Sequence, residues 1–206
     1  MRHFLAAACV AMIAVPVQAG SDDVSMVAIG LPFSPETPKP VDSAHPLFRD
    51  VEVGEIEALP TTVKSSSLNF IAAAKRSSIN AALRETLQRM NLLAPTAATA
   101  RKRLEISWKG GRAPFHIGTS NTATVTLQYR LVRIDTGQLL FDRAITTSAK
   151  GGGVDASMRD NGVMRAAISA NFASAANCLD HAAYGTAPAD CALTPLFSVS
   201  VVRLPR

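Results

Sequence analysis

Aromatic side chains make up only 5% of the 206 residues, with a single Trp and two Tyr, and only 18% of positions are charged. So few rings leave no platform interleaved with cations on which bases could stack, and binding to nucleic acid is not expected. No apolar run is long enough to cross a bilayer, which takes about 18–20 residues. Catalytic frames are missing too. The chain contains no Gly-x-Ser-x-Gly elbow, no Ser-x-x-Lys and no His-Glu-x-x-His, and its glycine-rich stretch at Lys150-Gly151-Gly152-Gly153 has neither a Gly-Lys-Ser/Thr ending nor Gly-x-Gly-x-x-Gly spacing. The expectation is a protein that is not an enzyme, with no cofactor, no metal and no catalytic residue to name.

Cysteine is scarce, and where it falls is informative. Residues 1–19 have the layout of a secretory signal peptide: Arg2 and His3, an apolar core from Phe4 to Val15, and Val17-Gln18-Ala19 before an expected cut between Ala19 and Gly20. Cys9 sits inside that leader, with too few residues before it for a lipidation box. After cleavage no transmembrane segment is expected, and the protein would be periplasmic, with a net charge near +4 from 20 basic and 16 acidic side chains. In that oxidising compartment Cys178 and Cys191 are expected to pair, closing a loop of about 14 residues. Twelve intervening residues exclude a Cys-x-x-Cys redox pair, and a zinc site would need two more ligands where only His181 is near.

Most of the remaining chain reads as alternating strands and two apolar-striped helices. The clearest stretch is Thr122 to Ser148. Ala123, Val125, Leu127, Tyr129 and Leu131 alternate with Thr124, Thr126, Gln128 and Arg130, which predicts a strand with one buried face. Asp135-Thr136-Gly137 suits a hairpin whose glycine takes the left-handed position, and Leu139 to Ser148 returns as the second strand. Residues 20–50 carry prolines at 32, 35, 38, 40 and 46; Val24 to Leu31 could form a short edge strand, and residues 32–48 read as an extended tether or a surface-wrapping arm. The domain proper is expected over 51–206. Val51 to Leu59 reads as its first strand, with a bulge at Gly54, and Ser67 to Met90 as a helix striped by Ile79, Leu83, Leu87 and Met90. Asn91 tolerates the left-handed conformation that ends a helix, and Pro95 blocks its continuation. Leu104, Ile106 and Trp108 mark another strand, ended by a turn at Lys109-Gly110-Gly111-Arg112. Ser157 to Leu179 forms the second helix, and Phe197, Val199 and Val201 a last strand able to pair with an exposed sheet edge.

Other polar groups carry bland readings. Glu52, Glu55 and Glu57 have no acid, base or nucleophile beside them and fit solvated strand positions. Arg101-Lys102-Arg103, near Lys109 and Arg112, could attract anionic polymers or lipid headgroups but fits a solvated strand entrance better. His45, His116 and His181 fall in no recognisable frame.

The order strand, helix, strand, hairpin, helix, strand (β-α-β-β-β-α-β) gives an α+β class, with two helices on one face of an antiparallel or mixed sheet. The local texture resembles a family of exported bacterial envelope proteins of unknown function. The resemblance lies in Asn80-Ala81-Ala82-Leu83-Arg84-Glu85-Thr86-Leu87, in Asn91-Leu92-Leu93-Ala94, in Val125 to Ile134 with Asp135-Thr136-Gly137, and in the second helix, over about residues 51–180. Some members of that family are labelled UDP-N-acetylglucosamine acyltransferases, an activity of left-handed β-helices built on hexapeptide repeats, and no such repeat is visible in this chain. The topology is also similar to small periplasmic domains of envelope lipoproteins, such as penicillin-binding-protein activators. A well-patterned domain with an extended arm and no catalytic constellation leads to the expectation of a non-catalytic envelope accessory or binding protein with an envelope protein partner. An envelope hydrolase or acyltransferase, and a self-assembling homo-oligomeric subunit, are the alternatives.

Overall fold

A computed structural model describes residues 26–65, 72–114, 118–186 and 191–200. The leader with His3 and Cys9, the loop residue His116, and the final residues 201–206 lie outside that set. The described chain runs β1 (Phe33–Ser34), β2 (Val51–Val53), β3 (Thr62–Lys64), β4 (Ala72–Lys75), α1 (Arg76–Arg89), β5 (Lys102–Arg112), β6 (Ser120–Arg133), β7 (Leu139–Gly152), α2 (Ala156–Ala183), β8 (Thr194–Pro195) and β9 (Val199–Ser200).

The central alternation becomes the middle of a five-stranded sheet of order β2-β5-β6-β7-β9. β5, β6 and β7 pair antiparallel, and the two outer strands pair parallel, so the sheet is mixed. Ala123, Val125, Leu127, Tyr129 and Leu131 all point inward, joined by Leu104 and Ile106 from β5 and Phe141, Ile145 and Ala149 from β7. α2 lies across β6 and β7 with α1 beside it, so both helices cover this face and share one core. Nineteen residues of α2 are buried, many of them alanines, which lets the helix approach the sheet closely. The fold is α+β, as the strand and helix patterns predict.

The opposite face of the sheet is polar and satisfies itself. Thr124 and Ser148 hydrogen-bond across β6 and β7 at 2.9 Å, as do Thr126 and Thr146. Arg130 spans Glu105 at 3.2 Å and Asp142 at 3.4 Å, and Arg103 pairs with Glu52. Cross-strand pairs of this kind stabilise a solvated face without needing a second layer.

Capping residues behave as their chemistry dictates. Asn91 has φ 58° and closes α1 in a Schellman motif, in which Leu92 N donates to Leu87 O at 2.9 Å and Asn91 N to Gln88 O at 3.0 Å. In the β6–β7 turn Gly137 takes φ 67° and Gly137 N donates to Arg133 O at 2.9 Å.

Four expectations are corrected. First, α1 begins at Arg76, because Ala72–Lys75 pairs as β4 with β3 and buries Ala73 and Ala74 against the core. Alanine favours helix in isolation, but the ladder and the burial outweigh that small preference. Second, β5 runs straight through Lys109-Gly110-Gly111-Arg112 to Arg112, with a bulge between Trp108 and Gly110. A Cβ on Gly111 would stand 2.8 Å from the Trp108 ring, so glycine is what allows the ring to lie over the strand. Third, β2 stops at Val53. Its line resumes at an isolated bridge from Glu57 to Ser107, where Val51 faced Lys102, so one residue has been looped out near Gly54. Fourth, the short strand at the start of the arm is Phe33–Ser34, which pairs with β8, while Val24 to Leu31 yields none among its described residues. The arm wraps the domain: Met26, Ala28, Phe33, Val41 and Leu47 are all buried.

Candidate docking cleft at the hairpin end

Cys178 and Cys191 form a disulfide with Cα atoms 5.1 Å apart, tying the C-terminal half of α2 to the segment that leads into β8. Both cysteines are buried, and Arg143 Nη1 stands 3.8 Å from Cys191 Sγ. This is a structural tie with no ligating or redox partner beside it among the described residues.

The basic run does not form a free cationic surface. Asp50, buried at the start of β2, accepts from Arg101 N at 3.1 Å and Arg101 Nε at 2.9 Å, and pairs with Lys102 Nζ. Burial pushes the Asp50 pKa up, but the hydrogen bonds from Arg101 and Lys102 outweigh it and hold the carboxyl below its ordinary range. Arg103 goes to Glu52, and Arg133 grips Asp135 through two bonds of 3.2 and 3.0 Å, which lower the Asp135 pKa.

Three distant parts of the chain converge at this end of the molecule. Pro46 and Leu47 come from the arm, Ala100–Lys102 from the entrance to β5, and Ala182 and Ala183 from the last turn of α2. With Leu131, Arg133, Ile134, Asp135 and Leu140 of the hairpin they line a cleft of about 650 Å³. That volume lies within the range of ligand and anchor pockets. A register shift on β7 helps to make it. Leu131 pairs with Phe141 and Val132 with Leu139, so Leu140 is an extra residue with no partner, bulged toward the cleft.

The exposed large apolar residues concentrate here. Ile134, Leu139 and Leu140 are exposed on the hairpin, and Tyr184, 60% exposed, stands just past Ala183. Among the described residues Val154 and Leu196 are also exposed, and neither lines the cleft. The β2 edge of the sheet is closed by Leu92 and Ala94, which bond Val51 at 3.1 and 2.9 Å. On the other edge β9 pairs only with Gly151 and Gly152, so no described strand is paired with the outer side of Leu139–Lys150.

The arm wall is held by histidines. His45 is buried, and its Nε2 lies 2.9 Å from Asp180 Oδ1, while His181 Nε2 lies 3.4 Å from Glu36 Oε1. No local pattern could pair His45 with a residue 135 positions away. Glu52 serves in an ion pair, and Glu55 and Glu57 are exposed. Among the described residues, no three His, Cys, Asp or Glu side chains converge as a metal site. No described helix is long and apolar enough to cross a membrane.

No family model and no curated protein sequence matches the chain. Solved structures do. Protein XCC0632 of Xanthomonas campestris, assigned to the family model DUF330, superposes with a TM-score of 0.55 at 9% identity, covering 71% of this chain and 93% of that one. The likeness is one of fold. A candidate lipoprotein of Caulobacter crescentus gives 0.42 at 12% identity, over 67% of this chain and 92% of its own. A PelC dodecamer from Paraburkholderia phytofirmans gives 0.34 at 16% identity, over 65% and 91%.

Proposed function

We propose that this is a non-catalytic accessory protein of the bacterial cell envelope, which binds a protein partner at the hairpin end of its sheet. The observation that carries the reading is the gathering of exposed Ile134, Leu139 and Leu140 around the cleft, next to the start of β7, whose outer side is hydrogen-bonded to no described strand. An extended polypeptide segment is the occupant this chemistry suits. Main-chain groups of the partner complete the β7 ladder, and an apolar side chain fills the cleft. Export is supported by the leader-like residues 1–19 and by the buried disulfide.

The test is a paired substitution, Leu139→Asp with Leu140→Asp, in a tagged full-length protein. Both side chains are exposed, so the thermal midpoint should stay within the small range of surface changes. The partner captured reproducibly by the wild type should be lost, with binding falling at least about a hundredfold, the scale of an interface anchor. Retention of the same partner at the same affinity contradicts the reading. If the only partner is a second copy of the chain, mass in solution identifies it.

A further inference from the structure

We propose that His45 is an acid-sensitive latch that sets the arm wall of the cleft. Its use in regulating binding rests on the docking reading above, but the latch itself is a property of the isolated chain. The geometry assigns the ring's hydrogen. Leu47 N donates to His45 Nδ1 at 3.1 Å, so Nδ1 carries no proton; Nε2 carries it and donates to Asp180 Oδ1 at 2.9 Å. A neutral ring of one tautomer therefore bridges α2 and the backbone of the cleft wall.

Other groups around the ring are few. From α2, Asp180 faces Nε2 and the Tyr184 ring lies edge-on at 5.1 Å. From β5, Lys102 Nζ reaches Pro46 O at 3.1 Å. On the arm itself, Asp42 O accepts from His45 N at 3.2 Å, and Glu36 is engaged by His181. None of these offers Nδ1 a second acceptor.

The step is the uptake of one proton from water at His45 Nδ1. Nδ1 turns from acceptor to donor, and two N–H groups then face each other across the Leu47 contact. The Nε2 bond to Asp180 Oδ1 is the same in either state of the ring, so it is the Leu47 contact that yields. Leu47 is buried and lines the cleft, so its displacement reshapes the wall between neutral and mildly acid conditions, where histidines change charge.

Amide hydrogen exchange of the isolated protein tests this, with rates corrected for intrinsic pH dependence. Between about pH 7.5 and about pH 5.5 the Leu47 amide should lose roughly tenfold or more of its protection, the scale of one net hydrogen bond. The Val41 and Arg49 amides, bonded to Met90 O at 3.1 Å and Asn91 O at 2.7 Å, serve as internal standards and should not change. His45→Asn keeps a non-titrating acceptor two residues before Leu47, and its Leu47 protection should be independent of pH. Ring nitrogen chemical shifts of the wild type provide the second readout: one protonated nitrogen at the higher pH, two at the lower. A ring that stays neutral at the lower pH overturns the latch, as does a charged ring with unchanged Leu47 protection. Neither result bears on whether the hairpin end binds a partner.

Discussion

Tyr129 Oη donates to Asn171 Oδ1 at 2.7 Å, in the middle of a core where both residues are completely buried. Asn171 Nδ2 in turn donates to Ile145 O at 2.9 Å and Thr147 Oγ1 at 3.2 Å, so one side chain of α2 is fastened to β6 and β7 together. Burial also raises the Tyr129 pKa, which keeps the hydroxyl protonated as the donor. Tyr129→Phe should cost about 1–3 kcal/mol, because it leaves Asn171 Oδ1 buried without its donor. Urea unfolding measures it. A cost near zero would mean that the network does not register the helix on the sheet.

Reducing the Cys178–Cys191 bond should destabilise the fold by about 3 kcal/mol, the chain-entropy value for a loop of this length. The comparison is between unfolding midpoints of the native protein and of a Cys178→Ala, Cys191→Ala double variant. Because the tie lies at the end of α2, protection from hydrogen exchange should fall first around Leu193 and its partner Ser174.

Gly111→Ala should cost about 1–3 kcal/mol through overpacking against the Trp108 ring. Trp108 is the sole tryptophan, so its fluorescence and near-ultraviolet dichroism report the displacement directly. An unchanged signal with an unchanged midpoint contradicts the close approach.

Asp50 sets the acid limb of stability. Its folded pKa is below the ordinary value of 3.8, so its contribution is complete above that value and is lost as pH falls through the lower folded one. Asp50→Asn should be less stable than the wild type at neutral pH, and the gap should narrow steadily below about pH 4. Asp135 shifts in the same direction but is exposed, and solvent screening makes its share small. A gap that stays constant to the lowest pH at which the protein folds would refute the assignment.

What was legible in the sequence is what repeats locally. The alternation of Ala123 to Leu131, the left-handed Asn91 and Gly137, and the stripe Ile79, Leu83, Leu87 each depend on neighbours within a turn or two, and they fixed the two-layer architecture. Ala72-Ala73-Ala74 carries no period, so its pairing with β3 could not be told from a helix. Leu47 and Phe33 sit among prolines, and their burial depends on a core assembled from residues far downstream. The cleft was hidden for the same reason: its walls come from residues 46–47, 100–102, 131–140 and 182–183. The bulge that frees Leu140 is a matter of register, which Gln138-Leu139-Leu140-Phe141 does not announce.

The central claim is that the hairpin end, and not the polar sheet face, meets a partner. Site-specific photocrosslinkers placed in living cells at Ile134, Leu139 and Leu140, and at Thr126 and Gln128 as controls, test it most directly. One envelope protein crosslinked from the first three positions and from neither control is the expected result. Crosslinks to that protein from Thr126 or Gln128 alone, with none from the hairpin, would contradict it.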